Sequence, residues 1–430
     1  MRLRAAALAS ACGGVLHGAD VEVDGASNDT RSLRPGQLFV PVVAERDGHD
    51  FIAAALAGGA AAYLTARPPV GGTAIRVDDT AAALLSCGRL ARDSLPDRVV
   101  GVTGSVGKTS VKDLLAAALA GTLRTAASER SFNNELGVPM TLLGAPDGTE
   151  AVVLEMGARG AGHIRRLCEV GRPTVGVVTS VAAVHTELFG SLDEVAAGKG
   201  ELVESLPPSG TAVLNADDER VAAMAGRTTA RVLSYGDSGE VRADQVACDD
   251  ELRPSFRLRT PWGSAPVGLA VRGVHQVGNA LAAAAAALAC GVPLDAAADG
   301  LGRAVLSPLR MDLQRTQSGA IVLNDAYNAN PTSMAAALRA LAALPGRGRR
   351  IAVLGPMAEL AEPACAHAEV ASLAAELGVE VIAAATHLYG PDPAEDPVVA
   401  VGPLGRGDAV LVKASRAAGL ERVAEALLST

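Results

Sequence analysis

Seven consecutive residues, Thr103-Gly104-Ser105-Val106-Gly107-Lys108-Thr109, carry the clearest chemistry in the chain. Glycines let backbone N–H groups turn toward an anion, a lysine can neutralise phosphate oxygens, and a threonine hydroxyl can ligate a divalent cation. The run lies between an apolar stretch, 98–102, that reads as a strand and a stretch, 108–119, that reads as a helix. That order places the positive end of the helix at the loop. The longer glycine-x4-glycine-lysine form fails by one position, because Val102 stands where its first glycine would be. Thr103 through Ser110 are the expected contacts to a nucleoside triphosphate, with Lys108 on the β/γ-phosphates and Thr109 on Mg²⁺. The bland alternative is a glycine turn before a surface helix.

Other polar residues are less distinctive one at a time. Glu155 ends the apolar run 151–155, and the C-terminal end of a parallel strand is a good place for a catalytic acid. His185 alone reads as a packed or surface histidine, and Lys199 alone as a solvated charge. Asn133 and Asn134 could simply start a turn. His17, His163, His367 and His387 carry no functional signal.

The elements that must position these residues follow from hydrophobic patterning. Short apolar runs at 98–102, 151–155, 175–179, 211–215 and 231–235 alternate with helical patterns, which argues for a parallel, doubly wound sheet. Residues 251–269 alternate like an antiparallel edge, and 279–290 reads as a helix closed by Gly291 and Pro293. After Pro308 a second α/β pattern has strands at 321–324, 351–354, 379–384 and 409–412, with helices at 332–344, 369–377 and 420–428. The first 96 residues are mixed, with strands at 36–43 and 61–65 and helices at 51–62 and 80–95. The expected division is 1–96, 97–307 and 308–430.

Composition excludes several classes. The 430 residues include 38 basic and 47 acidic side chains, a net charge of −9. With 49% hydrophobic residues, wholesale disorder is out. With 2% aromatics, the cores must be built from Ala, Leu and Val. An acidic, aromatic-poor chain lacks the basic face and stacking platforms of a general nucleic-acid binder. An anionic substrate remains possible, because a local basic pocket can sit in an acidic protein. The six cysteines form no CxxC pair, so reduced thiols are expected rather than a zinc ribbon or disulfide scaffold. No apolar run reaches the roughly 18–20 residues of a membrane span. The first residues are poor in Leu and broken by Gly13-Gly14, which argues against a signal peptide.

The shorter glycine loop resembles that of the Mur ligase family, ATP-dependent amide-forming enzymes of peptidoglycan synthesis, and further blocks agree in order. Residues Ser131-Phe132-Asn133-Asn134-Glu135-Leu136-Gly137-Val138-Pro139 resemble the N-[YF]-N-N-E-[IL]-G-V-P block, with Ser131 for the first Asn. Glu155-Met156-Gly157-Ala158 resembles E-M-G-A. His275-Gln276-Val277-Gly278-Asn279-Ala280 resembles the H-N-x-x-N-A adenine motif, with Gln276 for Asn. Gly355-Pro356-Met357-Ala358-Glu359-Leu360 resembles G-D-M-x-E-L, with Pro356 for the acid. Leu411-Val412-Lys413-Ala414-Ser415-Arg416 resembles L-V-K-G-S-R, with Ala414 for Gly. Asn324-Asp325-Ala326-Tyr327-Asn328-Ala329-Asn330-Pro331 resembles the branch that adds D-alanyl-D-alanine to a UDP-N-acetylmuramoyl-tripeptide.

The resemblance implies an α/β protein of three domains: an N-terminal UDP-sugar-binding domain, a central P-loop ATPase domain with a parallel sheet, and a C-terminal Rossmann-like domain. It implies ATP and two Mg²⁺ sites. Thr109 would hold one ion, and Glu155 and His185 the other, helped by a carbamate on Lys199. A carbamate turns a cation into an anion, so it can serve a metal that free lysine would repel. Asn134 would orient the phosphate or acyl acceptor, Arg310 would reach the γ-phosphate, Asp325 the ribose hydroxyls and Asn279 the adenine edge. Thr30, Arg31, Asp47, Gly48 and His49 would touch the nucleotide sugar, and Tyr327, Asn328, Asn330, Lys413 and Ser415 the remaining substrate. The expected protein is a cytoplasmic monomer with no nucleic-acid partner and no stable membrane insertion. Two rivals stay open: a paralogous ligase with another carboxylate and amine, and a nucleotide-binding regulator that keeps the fold without catalysis.

Overall fold

A computed structural model describes residues 1–129, 131–182 and 191–429. At its centre is a six-stranded parallel sheet in the spatial order Arg231–Tyr235, Thr211–Asn215, Val175–Val178, Val99–Thr103, Ala151–Glu155, Thr125–Ala127. Every residue of Val99–Thr103, Ala151–Glu155 and Val175–Val178 is buried. Helices cover both faces of the sheet, which is why these strands read as unbroken apolar runs instead of alternating. The parallel arrangement brings the chain ends after Thr103, Glu155, Val178, Asn215 and Tyr235 to one edge.

Helices Lys108–Ala120 and Gln276–Ala289 pack together over one face of this sheet. The second buries Ala280 and Ala282 to Ala287, and the first buries Leu114, Leu115 and Leu119. Alanine loses no side-chain rotamer freedom on burial, so a helix this rich in it forms cheaply and packs closely. This is how the chain builds a core with so few aromatics. A three-stranded antiparallel sheet, Arg242–Cys248, Pro254–Thr260 and Gly263–Gly268, lies between the central sheet and this helix in sequence.

The N-terminal sheet has the order Val15–His17, Ala74–Arg76, Ala62–Thr65, Leu38–Phe39, Ala26–Ser27, with only the first strand antiparallel. Two expectations need correction here. The strand expected over 36–43 shortens to Leu38–Phe39, followed by Pro41, which has no N–H to give a ladder. The helix expected over 51–62 is a 3₁₀ turn, Gly48–Phe51, then Ile52–Ala57, stopped by Gly58 and Gly59. Helix Thr80–Asp93 is capped by the Asp79 carboxylate, which accepts from Ala81 N–H and Ala82 N–H. It packs on helices Gly137–Leu143 and His163–Gly171, so the first segment's core continues into the central layer. Arg92, buried there, donates from Nε to Gly171 O at 2.8 Å.

The crossing beside Gly88 is close. A Cβ at Gly88 would stand 2.5 Å from Pro139 Cβ, too near for any real pair of carbons. Gly88→Ala is expected to destabilise the protein by about 1–3 kcal/mol through overpacking, seen as a lowered Tm. An unchanged Tm would mean the two helices can separate freely.

The C-terminal sheet runs Asp312–Arg315, Ile321–Asn324, Ala409–Lys413, Arg350–Leu354, Glu380–Ala383. Its first strand is an antiparallel edge that the sequence patterning misses, and the other neighbours are parallel. The helix expected over 369–377 begins earlier, at Pro363, where proline's fixed φ and missing N–H suit the first turn. Among the described residues no helix is long and apolar enough to cross a membrane. All six cysteines are free thiols.

Candidate active site

A cavity of about 740 Å³ lies where the C-terminal strand ends of the central and C-terminal sheets face each other. Ligands of open α/β sheets bind at such edges. The glycine loop forms one wall. Gly107 precedes helix Lys108–Ala120 with φ +86, and no side chain caps the helix. The first helical N–H groups have no partners within a helix, so this terminus is open to an anion. Gly104, at φ +147, passes so close to Thr179 that a Cβ would overlap the Thr179 hydroxyl. Ser105 N–H donates to Ser180 O at 2.8 Å, and Val106 N–H to Ser180 Oγ at 3.2 Å. These bonds hold the loop against the end of the neighbouring strand.

Lys108 is half-buried beside this loop, and its Nζ donates to Gly104 O at 2.7 Å and Ser105 O at 3.3 Å. Burial pushes its amine below the ordinary lysine range; the Glu155 and Glu359 carboxylates pull it back up, and Arg310 pushes it further down. Glu155, at the end of its strand, is 1% exposed. Its Oε1 accepts from Asn133 Nδ2 at 3.0 Å, while its Oε2 is buried with no hydrogen-bond partner. An orphaned carboxylate oxygen is costly unless a cation completes it. With the Thr109 hydroxyl on the same cavity, this oxygen-rich donor set fits a hard divalent ion such as Mg²⁺.

Lys199 lies within helix Leu192–Glu204 and is 2% exposed, yet it lines the cavity. It has no hydrogen bond or ion pair among the described residues. Burial first, and then the Lys108 ammonium, push its amine far below the usual lysine range. His185 lies outside the described residues. Among those that are described, no three His, Cys, Asp or Glu side chains form a metal-holding group.

The C-terminal layer supplies the facing wall. Arg310 lies between Leu309, φ +64, and Met311, φ +53, two left-handed residues that cost roughly 1–2 kcal/mol each. Met311 N–H donates to Asp325 Oδ1 at 3.1 Å. The other Asp325 oxygen pairs with buried Lys413 at 2.5 Å, and Lys413 also donates to Asn328 O at 2.8 Å. Asp325 and Lys413 therefore brace the strained turn that carries Arg310. The Arg310 guanidinium stacks over the Tyr327 ring at 4.4 Å, and its buried Nε has no hydrogen-bond partner. Tyr327 OH donates to Ser131 Oγ at 2.5 Å, and Ser131 Oγ lies 3.5 Å from Thr109 Oγ1. A chain of contacts thus links the C-terminal wall to the phosphate loop.

Tyr327→Phe removes that link but keeps the ring under Arg310. It is expected to lower kcat by roughly 3–10-fold, the value of about one hydrogen bond. Adding Ser131→Ala should cost little more, because both changes remove the same contact. Fully additive losses in a steady-state assay would show that the hydroxyls act separately.

Near the helix that starts at Gln276, Asn279 Nδ2 donates to Gln276 Oε1 at 2.8 Å. His275 is half-buried beside it. Desolvation lowers its pKa and favours the neutral ring. Its Nε2 lies 3.2 Å from the Gln276 amide, and its Nδ1 has no partner.

The remaining sequence-selected residues are placed differently. Thr103 is fully buried at its strand end and does not line the cavity. Asn134 faces the cavity, but its Oδ1 accepts from Leu136 N–H and Gly137 N–H at the start of the next helix. Its neighbour Asn133 is the one that touches Glu155. Asn330 lines the cavity and caps helix Pro331–Ala343. Ser415 lies behind the wall, its Oγ accepting from Ala358 N–H at 2.8 Å. Thr30, Arg31, Asp47, Gly48 and His49 stand apart from the cavity. Arg31 pairs with Asp29 at 2.7 Å. His49 is buried, with Nδ1 2.6 Å from Asp47 Oδ1 and Nε2 accepting from Ala66 N–H.

Sequence reasoning passes over Glu135, Arg159, His163, Glu359 and Arg416, all of which line the cavity. The signal for Glu359 lies in its motif, Gly355 to Leu360. His163 and Glu135 face each other at 3.8 Å.

Comparison with known proteins agrees with this architecture. Residues 102–287 match the Mur ligase middle domain, and residues 309–429 match the Mur ligase glutamate ligase domain. The UDP-N-acetylmuramoyl-tripeptide–D-alanyl-D-alanine ligase of Mycobacterium tuberculosis is 41% identical over 466 aligned positions, 93% of this chain and 91% of that protein. The chain belongs to the Mur ligase family. The Escherichia coli ligase of the same name is 39% identical to this Mur ligase, over 85% of its chain and 82% of that protein. In three dimensions the Mur ligase superposes on the UDP-N-acetylmuramoylalanyl-D-glutamyl-2,6-diaminopimelate–D-alanyl-D-alanyl ligase of Acinetobacter baumannii. That match has a TM-score of 0.87 and 28% identity, and it covers 100% of this chain and 98% of the other. The MurF ligase of Thermotoga maritima, solved in complex with ADP, gives a TM-score of 0.79 at 27% identity, covering 94% and 97%.

Proposed function

We propose that this Mur ligase joins D-alanyl-D-alanine to a UDP-N-acetylmuramoyl-tripeptide at the expense of ATP, releasing ADP and phosphate, in the cytoplasmic synthesis of peptidoglycan precursors. One observation carries the reading. The loop Tyr327–Asn330, whose sequence resembles the D-alanyl-D-alanine-adding branch, shares one cavity with the phosphate loop. The identity to ligases of that name over nearly the whole chain supports it.

Amide formation requires a carboxylate oxygen to become a leaving group. Transfer of the γ-phosphoryl of ATP makes an acyl phosphate, which the amine attacks as phosphate departs. The difficulty is bringing an anionic carboxylate to an anionic phosphate, so cations must crowd the point of contact. Lys108 and Arg310 supply two, both held in place before substrate arrives. Mg²⁺, when bound, adds further positive charge and polarises phosphoryl oxygens. Thr109 and Glu155 would hold it, with His185 and a carbamylated Lys199. Asn133 orients Glu155 by fixing its Oε1. Asn279 and His275 would read the adenine, and Asp325 would meet the ribose while bracing Arg310 through Met311.

The proposed division falls near Pro96 and Pro308. The N-terminal domain, with Thr30, Arg31, Asp47, Gly48 and His49, would bind the uridine nucleotide. Closure of the C-terminal domain would exclude water from the acyl phosphate. The test crosses UDP-muramoyl peptides with amines and reads phosphate release and product mass. The expected result is phosphate release with the tripeptide and D-alanyl-D-alanine, and a product heavier by that dipeptide less water. Turnover only with another carboxylate and amine would establish the paralogous ligase instead. Nucleotide binding without turnover for any pair would establish the regulator.

A further inference from the structure

Two of the six thiols meet in the N-terminal segment. Cys12 is the C-cap of helix Ala5–Ala11, and Cys87 lies in the middle of helix Thr80–Asp93. The two helices pack against each other. Both sulfurs reach the same end of the first helix, at carbonyls one residue apart. Cys87 Sγ donates to Leu8 O at 4.0 Å, and Cys12 Sγ to Ala9 O at 3.5 Å. Cys12 N–H donates to Leu8 O as well, at 3.1 Å. The sulfur–carbonyl contacts are long and weak, so little ties either thiol to its carbonyl. The two side chains also hydrogen-bond each other.

The pair is asymmetric. Cys87 is fully buried. Cys12 is half-buried, between exposed Ala11 and exposed Gly13. The Cys87 S–H stabilises a thiolate at Cys12 and holds the Cys12 thiol below the ordinary cysteine range. Cys87, the donor in that bond and the more buried of the two, is pushed the opposite way. The other cysteines are placed differently. The Glu369 carboxylate raises the exposed Cys365 thiol, and desolvation and then Asp249 raise the exposed Cys248 thiol. Burial pushes Cys168 and Cys290 up to about 12. Thiolate character and access together decide a cysteine's reactivity, and among these six they coincide at Cys12. Neither Cys12 nor Cys87 lines the ligand cavity.

We propose that Cys12 and Cys87 form an oxidant-reactive dithiol, in which Cys12 reduces a hydroperoxide and Cys87 resolves the product to an intramolecular disulfide. The Cys12 thiolate sulfur attacks the hydroperoxide, the O–O bond breaks, and an alkoxide or hydroxide leaves and takes up a proton. Cys12 becomes a sulfenic acid. The Cys87 sulfur then attacks the Cys12 sulfur. The S–S bond forms, the S–O bond breaks, and the hydroxyl leaves as water with the Cys87 proton. The two sulfurs together lose two electrons, and the peroxide gains them. The new bond closes most of the N-terminal segment into one loop. It fastens helix Ala5–Ala11 to the helix that seats at Gly88 on Pro139 of the central layer.

The test uses the full-length protein. Under limiting iodoacetamide at neutral pH, peptide mass spectrometry is expected to find Cys12 alkylated about 10-fold or more faster than the more exposed Cys248 and Cys365. One equivalent of hydrogen peroxide should then remove two hydrogens from unalkylated protein and yield a Cys12–Cys87 linked peptide. The oxidised protein should melt roughly 3–8 °C higher, and dithiothreitol should reverse both changes. In Cys87→Ser the sulfenic acid has no resolving thiol, so dimedone should label Cys12. In Cys12→Ser neither the link nor the fast alkylation should appear. Peroxide products that lack the Cys12–Cys87 link, or Cys248 or Cys365 reacting ahead of Cys12, would overturn the proposal and leave the pair as core packing. Both readouts come from wild-type protein, so they hold even where a variant fails to fold.

Discussion

Lys108→Ala is expected to lower kcat by about 10³-fold or more while the protein stays folded. The side chain is half-buried beside the glycine loop, and its ammonium already rests on Gly104 O and Ser105 O. No other lysine stands at this helix start, so its removal takes away the cation that the loop itself offers the phosphates. The loop's backbone would survive, because Ser105 and Val106 are tied to Ser180 independently of Lys108. Steady-state turnover at saturating substrates, with circular dichroism as a check on folding, measures the effect. Near-wild-type turnover by a folded variant would remove the phosphate-loop assignment.

Lys199→Ala is expected to be nearly inactive, and small carboxylic acids should partly restore it. A carbamate forms only from a neutral amine and CO₂. Burial and the nearby Lys108 charge favour the neutral amine at Lys199. Formate or acetate could occupy the vacated carboxylate position, so activity should rise with their concentration. Lys199→Arg should not be rescued, because the guanidinium keeps a positive charge that a metal repels. Full activity in Lys199→Ala would contradict this role. Rescue by small amines but not by acids would show that the ammonium, rather than a carbamate, is the working group.

The parts of this molecule legible in sequence are those governed by local patterning. The buried strands at Val99–Thr103, Ala151–Glu155 and Val175–Val178 stand out because burial on both faces demands continuous apolar runs. The glycine loop stands out because few other contexts need glycines, lysine and threonine at that spacing. The sequence points to Lys108, Thr109, Glu155, Lys199, Asn279, Arg310 and Asp325, and one cavity is lined by all of them.

What stays hidden depends on tertiary contacts. Tyr327 and Ser131 are 196 positions apart, and nothing local announces their hydrogen bond. Asn133 and Asn134 are adjacent and alike, yet one turns to Glu155 and the other to the next helix's N–H groups. The brace from Lys413 through Asp325 to Met311 joins two strand ends and a linker, and only the folded sheet brings them together. His367 reads as a bland histidine but anchors the loop that carries Glu359. In the N-terminal segment, short strands and a 3₁₀ turn carry too few residues for periodicity to show, so its boundaries blur.

The most direct test of the central claim follows the oxygen of the activated carboxylate. The tripeptide substrate is labelled with ¹⁸O in its terminal carboxylate and incubated with enzyme, ATP and D-alanyl-D-alanine, and the released phosphate is analysed by mass spectrometry. Activation through an acyl phosphate predicts that one labelled oxygen passes into inorganic phosphate for each amide formed, with ADP as the other product. Unlabelled phosphate accompanying amide formation, or label found in AMP, would contradict the account.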